Sequence, residues 1–222
     1  MTAGEPVSPI PVAPAGLTRR ARHFVEADGI RVPRQDIRHH RDAWIEHGIT
    51  AAEFDRAVAF QDRWGGLALP PAPFYEGGPH VLGVEYPRGS AAEEHWSFSA
   101  GTCRVSMGHG FRIGLDGSFG IDANHWVPLH ADVDGWVESL ALASHAGYWA
   151  ENVRKIKGTA VDALDLDGYE QVPEVQGVTD TWWRGEDKLI AVYRGTAVGF
   201  DAPHCLRAHI YEGLDEWGLH GG

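Results

Sequence analysis

The chain has 222 residues, 43% of them hydrophobic and 23% charged, enough to bury a core as one domain or as a domain with an extension. Nineteen basic against 31 acidic residues leave a net charge of −12, which repels phosphate backbones and argues against direct nucleic-acid binding. No run approaches the roughly 18 apolar residues that span a membrane, and the only two cysteines, Cys103 and Cys205, make no disulfide framework.

The start of the chain, residues 1–16, is rich in Pro and Ala and lacks the apolar segment of a signal peptide. It reads as a disordered or loosely docked arm, and the cytoplasm is the expected compartment. Residues 17–222 read as a single α+β domain. A first helix is predicted from Thr18, its N-cap, to Asp28, with Gly29 beyond its end. A second is predicted from Pro33, a residue suited to a first turn, to Gly48. The third opens on Thr50 and Glu53, a T-x-x-E capping box with Ile49 and Phe54 at the staple positions; Gly65-Gly66 stop it.

Residues 67–90 are loop-rich, and short strands are expected at 80–86, 95–99 and 103–107. A hairpin at 111–122 can be placed in register. A three-residue loop of Leu115, Asp116 and Gly117 pairs Gly114 with Ser118, Ile113 with Phe119 and Phe111 with Ile121, and puts all four apolar side chains on one face. A two-residue loop would split them between faces. A long helix is predicted from Asp132 to Lys157, with Asp132 and Asp134 at its start and Arg154, Lys155 and Lys157 at its end. Leu142, Ala146, Trp149, Val153 and Ile156 form its apolar stripe. The remainder reads as strands at 179–184, 188–194 and 206–211. The expected architecture is a twisted, mostly antiparallel sheet flanked by helices, with an N-terminal helical part and a β-rich C-terminal tail.

No metalloprotease, zinc-ribbon, P-loop, dinucleotide or nucleophile-elbow motif occurs. His125 and His130 are five residues apart, as are His204 and His209, so each pair points away from itself on a strand or a helix. His40 and His47 share a helix face two turns apart, too far for one ion. Asp165, Asp167 and Gly168 lack the bidentate acid of a calcium loop and read as a turn. No metal or other cofactor is therefore expected. Cys103 would need His95 or His109 beside it to be reactive; otherwise it is a small buried residue. Glu93–Glu94 could serve acid/base work or simply be solvated. Nine Trp suit a core, and equally a groove or an interface. Trp182 and Trp183 are neighbours on a predicted strand and must face opposite ways, so one is a candidate anchor for a partner.

One stretch resembles a known family. Arg63-Trp64-Gly65-Gly66-Leu67 and Leu69-Pro70-Pro71 lead into short strands. The Gly-rich hairpin 111–121, then Trp126-Val127-Pro128-Leu129 and the helix opening Val133-Asp134-Gly135-Trp136 follow. In order of elements and turn chemistry, residues 50–150 are similar to the SUKH superfamily of SMI1/KNR4-like immunity proteins. The resemblance implies an α+β fold and a binding role, typically the neutralisation of a bacterial toxin; it carries over no catalytic residues.

Three functions are compatible with these residues. The first is a cytoplasmic, immunity-like binding module that occludes a basic protein partner, with Tyr75, Trp182 and Trp183 among its anchors. The second is an enzyme or small-molecule-binding protein of specialised metabolism, its aromatic-walled pocket drawn from His80, Glu85, Trp96, Arg104, His109, Trp126 and His130. The third is a homodimer that buries its Trp-rich faces between subunits.

Overall fold

The computed structural model describes residues 11–85, 87–88, 97–106 and 108–221. Of the amino-terminal arm, residues 11–16 are docked: Ala13 packs against the core, and Arg63 Nη2 donates to Ala15 O (2.8 Å). Helix α1, Arg19–Asp28, starts where its cap predicts, Thr18 Oγ1 accepting from Ala21 N (3.2 Å), and buries Ala21, Phe24 and Val25.

The second helix begins later than predicted. Residues 33–37 are not helical; a 3-10 turn at Arg38–His40 precedes α2, Arg41–Glu46. Side chains account for this. Gln61 Nε2 donates to Gln35 O (2.8 Å), Arg34 Nη1 donates to Gln61 O (2.8 Å), and Asp36 Oδ1 accepts from Arg38 N (3.0 Å). Asp36 rather than Pro33 therefore starts the helical turn. His40 and His47 accordingly share no continuous helix. Helix α3, Ala51–Trp64, carries the full capping box and buries Phe54, Ala57, Phe60, Gln61 and Trp64.

Two short antiparallel pairs flank the helices: β1 (Ile30–Arg31) with β2 (Leu67–Ala68), and β3 (Pro79–Leu82) with β6 (Gly101–Cys103). A five-stranded antiparallel sheet follows, in the order β4 (Pro87–Arg88), β5 (Ser97–Ser99), β7 (Gly110–Ile113), β8 (Phe119–Asp122), β9 (Trp126–His130). Its central hairpin has the predicted register: Ile113 faces Phe119, Phe111 faces Ile121, and Gly114 N donates to Ser118 O (2.8 Å). All four apolar side chains are buried, and Gly117 takes the turn at φ +90°.

Helix α4, Val133–Trp149, is capped by Asp132 and ends at Trp149, about two turns earlier than predicted. Ala150 is extended, and Asn152–Lys157 form strand β10. The cationic end that suits a helix dipole belongs instead to a strand, because β10 pairs along its whole length with β14 (Arg207–Glu212). Six ladder residues outweigh two more turns of a half-exposed helix. The second five-stranded sheet runs β10, β14, β13 (Lys188–Tyr193), β12 (Thr181–Arg184), β11 (Glu170–Gln171), all antiparallel. A short helix α5 (Gly195–Gly199) lies between β13 and β14, and α6 (Glu216–His220) follows β14.

Helix α4 ties the two sheets together. Trp136 stacks on Phe119 of the first sheet (4.8 Å between rings), and Ser139 Oγ accepts from Trp182 Nε1 of the second (3.0 Å). The main core reaches from Leu17 to Leu219, so the tail from 159 onward packs on the same core as the amino-terminal helices. The second sheet's other face carries Ile190, Val192, Ala208 and Ile210 and is covered by Val161, Ala197 and Leu206. A buried ionic network closes the far side. Arg20 lies 3.7 Å from Glu138 and 3.2 Å from Glu174, Arg184 reaches Glu174 at 3.0 Å, and Glu138 accepts from both Thr18 N and Thr18 Oγ1 (2.7 Å each).

Candidate functional site

The residues nominated by sequence separate into three environments. Tyr75, His130 and Trp182 are buried and unavailable to a partner. Trp182 is 1% exposed in the core, so the anchor role fails for it. His130 is fully enclosed; its Nδ1 meets Val175 O at 2.9 Å, and burial pushes its pKa down to about 4, leaving a neutral framework imidazole. Trp183, on the opposite face of β12, is half-buried against the second cluster and donates its N–H to Thr181 Oγ1 (3.0 Å). Arg104 is a clamp: Nε donates to Gly77 O (2.9 Å) and Nη2 to Leu69 O. Trp126 is half-buried over Gly120. His80 is exposed. Trp96, with Glu93, Glu94 and His95, lies outside the described residues.

Tyr75 belongs to an unusual turn. Tyr75, Glu76, Gly77 and Gly78 have φ of 55°, 48°, 91° and 72°, four left-handed residues in succession, two of them bearing side chains. Each non-glycine residue there costs about 1–2 kcal/mol. The turn is held by Arg104 and by Tyr75 Oη, which donates to Asp180 Oδ2 (2.6 Å). Asp180 is 1% exposed and also accepts from Arg194 N (2.8 Å) and Gly195 N (3.1 Å). Residue 195 must be glycine, because a Cβ there would lie 2.5 Å from Tyr75 Oη. Burial raises the Asp180 carboxyl to about 6 despite its three donors, and pushes the Tyr75 phenol well up. These groups serve the backbone.

Glu85 and His109 are brought together. They line a cleft of about 520 Å³ with Ser99, Cys103, Arg112 and Asp122. A second cleft of about 520 Å³ meets the first at Glu85 and Gly101. His109 is 8% exposed, touches Tyr75, Phe111 and Phe200 edge-on, and is pushed down by burial, with Glu76 opposing. Burial raises the Cys103 thiol. Both groups are therefore neutral at pH 7, which is the reverse of an activated thiolate–imidazolium pair. Among the described residues no group of three or more His, Cys, Asp or Glu is placed to hold a metal ion. Of the five-apart histidines, His130 and His209 are buried, whereas His125 and His204 are exposed. Asp165 caps its own turn, accepting from Asp167 N (3.0 Å).

A further cluster escapes the sequence reading. Where α4 ends, Tyr148 is 80% exposed and Trp149 47%, with rings 5.2 Å apart. His145 lies 6.3 Å from Trp149 and 5.9 Å from Trp217 on α6, itself 43% exposed. His145 Nε2 meets Trp217 O at 2.9 Å and fixes the helix ends against each other. Exposed Glu151, Asp215 and Glu216 sit beside these rings in the chain. Trp149 fits the period of a buried stripe only if the helix continues; because it stops there, the ring is left outside. The adjacent Tyr148-Trp149 pair at a helix end is the one signal that points to it.

Among the described residues no helix is long and apolar enough to cross a membrane. Comparisons with protein-family models, with curated proteins and with solved structures returned no match.

Proposed function

We propose that this chain is a cytoplasmic protein-binding module, immunity-like in the sense its resemblance implies, that neutralises a basic protein by occluding its surface. The observation that carries this reading is the open aromatic patch of Tyr148, Trp149 and Trp217, bordered by Glu151, Asp215 and Glu216 in a chain of net charge −12. Trp and Tyr bring large contact area at low entropic cost and dominate binding hot spots. Aromatic faces next to carboxylates attract Lys and Arg side chains by cation–π and Coulomb forces together. The overall negative field would speed encounter with a basic partner. The run of helix, loop, strands, hairpin and helix over residues 51–149 supports the same reading.

The test is association of the purified chain with the basic product of a neighbouring gene, followed by calorimetry. Affinity should fall about tenfold between roughly 50 and 500 mM salt. Joint replacement of Tyr148, Trp149 and Trp217 by Ala should cost about 2 kcal/mol or more, roughly thirtyfold. Binding that ignores both salt and the triple replacement would remove the reading.

A further inference from the structure

The cleft at Glu85 and His109 shares no residue with the aromatic patch. Its charged walls are two carboxylates, Glu85 and Asp122, and one guanidinium, Arg112. Arg112 is committed: Nε lies 2.8 Å from Asp122 Oδ2, and Nη1 donates to Ser97 Oγ (2.9 Å). Glu85 is exposed and has no cation paired with it among the described residues. It takes only a long hydrogen bond from Ser99 Oγ (3.5 Å). His109 also lines the cleft, with its side chain 4% exposed and its Nε2 without a hydrogen-bond partner, 3.9 Å from Glu76 Oε2. The backbone at Gly110 leaves open space, since a Cβ there would meet nothing within 4 Å.

These features select a class of ligand. Among the described residues lining the cleft, an anion would face two carboxylates and find the one cation already paired. A neutral amide could bond Ser99 but would leave the Glu85 charge unanswered. A guanidinium is planar and presents a fork of N–H donors that fits a carboxylate two bonds at a time, with further donors for a hydroxyl. The volume of about 520 Å³ is that of a small-molecule site.

We propose that this cleft binds a small guanidinium compound, Glu85 taking its charged fork and Ser99 Oγ one of its remaining donors. The ion pair of Asp122 and Arg112 also lines the cleft, and its carboxylate disfavours an anion there.

The experiment titrates the full chain with butylguanidine and, separately, with butylurea, which has the same shape and no charge. Butylguanidine should bind saturably at millimolar concentration and shift the His109 imidazole resonances. Butylurea should do neither. Glu85→Gln, at an exposed position, should keep the fold by circular dichroism and weaken butylguanidine about tenfold. Equal binding of the two compounds, no saturation with butylguanidine, or an affinity indifferent to Glu85→Gln would overturn the assignment. The chain with Tyr148, Trp149 and Trp217 replaced by Ala should bind butylguanidine like the parent, so loss of the protein partner and loss of this ligand are read separately.

Discussion

The turn at Tyr75–Gly78 and the end of α4 both gather aromatic rings, histidines and carboxylates, but the first cluster is sealed and the second open. In the sealed one Tyr75, His130, Trp136 and Asp180 are each under 5% exposed, and the Asp180 carboxylate answers three donors. Polar groups without water must find partners inside, and those that do not, such as His130 Nε2 and Tyr193 Oη, are a standing cost. In the open cluster Tyr148, Trp149 and Trp217 are 80%, 47% and 43% exposed and keep large apolar faces in water. The same residue types therefore serve stability in one place and are left open to solvent in the other. What separates them is whether α4 and the second sheet close over them.

The largest effect should come from breaking the sealed cluster. Asp180→Ala leaves Tyr75 Oη, Arg194 N and Gly195 N without an acceptor in a dry interior. Stability should fall by roughly 3 to 5 kcal/mol in urea unfolding. The joint Ala replacement of Tyr148, Trp149 and Trp217 should cost less, about 1 to 3 kcal/mol. Comparable losses in both proteins would mean that the patch is part of the core's support, and the contrast between the clusters would collapse.

Acid should act on the sealed side. His130 and His209 are held at about 4, below their ordinary 6.5, by burial and, at His209, also by Lys155. The unfolded chain takes up these protons first, so their contribution is whole above pH 6.5 and drains as pH falls towards 4, about 3 kcal/mol for His130. Asp180 works the other way: its carboxyl, raised from 3.8 to about 6, favours the folded state below 3.8 and loses that contribution as pH rises through 6. Two histidines outweigh one carboxyl, so the unfolding midpoint should drop between pH 6.5 and 4. His130→Asn keeps a donor for Val175 O without a titrating ring, and should flatten the dependence of stability on pH by about one proton. An unchanged slope would show that His130 already carries its proton when folded.

Much of this was legible in the residues. The capping box at Thr50 and Glu53, the register of the hairpin at Gly117 and the opposed faces of Trp182 and Trp183 depend on local chemistry and on a period of two, and each stands as read. Two expected helical stretches fail for different reasons. Asn152–Lys157 has helix-compatible spacing in Val153 and Ile156, and only β14, some fifty residues later, makes it a strand. Residues 33–37 lost their helix to side chains from Arg34, Asp36 and Gln61. Among the site candidates, Glu85 and His109 do meet in a cleft, whereas Tyr75 and His130 were drawn inward by Asp180 and Val175 O. A carboxylate 105 residues away along the chain leaves no local trace.

The smallest expected change probes the edge of the sealed cluster, where it reaches water. Glu76 sits at φ 48° and ψ 36° with its side chain 55% exposed, and its carboxylate stands 3.9 Å from His109 Nε2, beyond a hydrogen bond. Glycine would relieve about 1–2 kcal/mol of left-handed strain. It would also give the unfolded chain extra freedom worth about 0.5–1 kcal/mol. The difference has the sign of stabilisation, so Glu76→Gly should raise stability by roughly 0.5 kcal/mol in chemical denaturation. A loss instead would mean that the carboxylate bears on His109 in the folded protein, and that the strain at Glu76 is kept for that contact and not for the path of the chain.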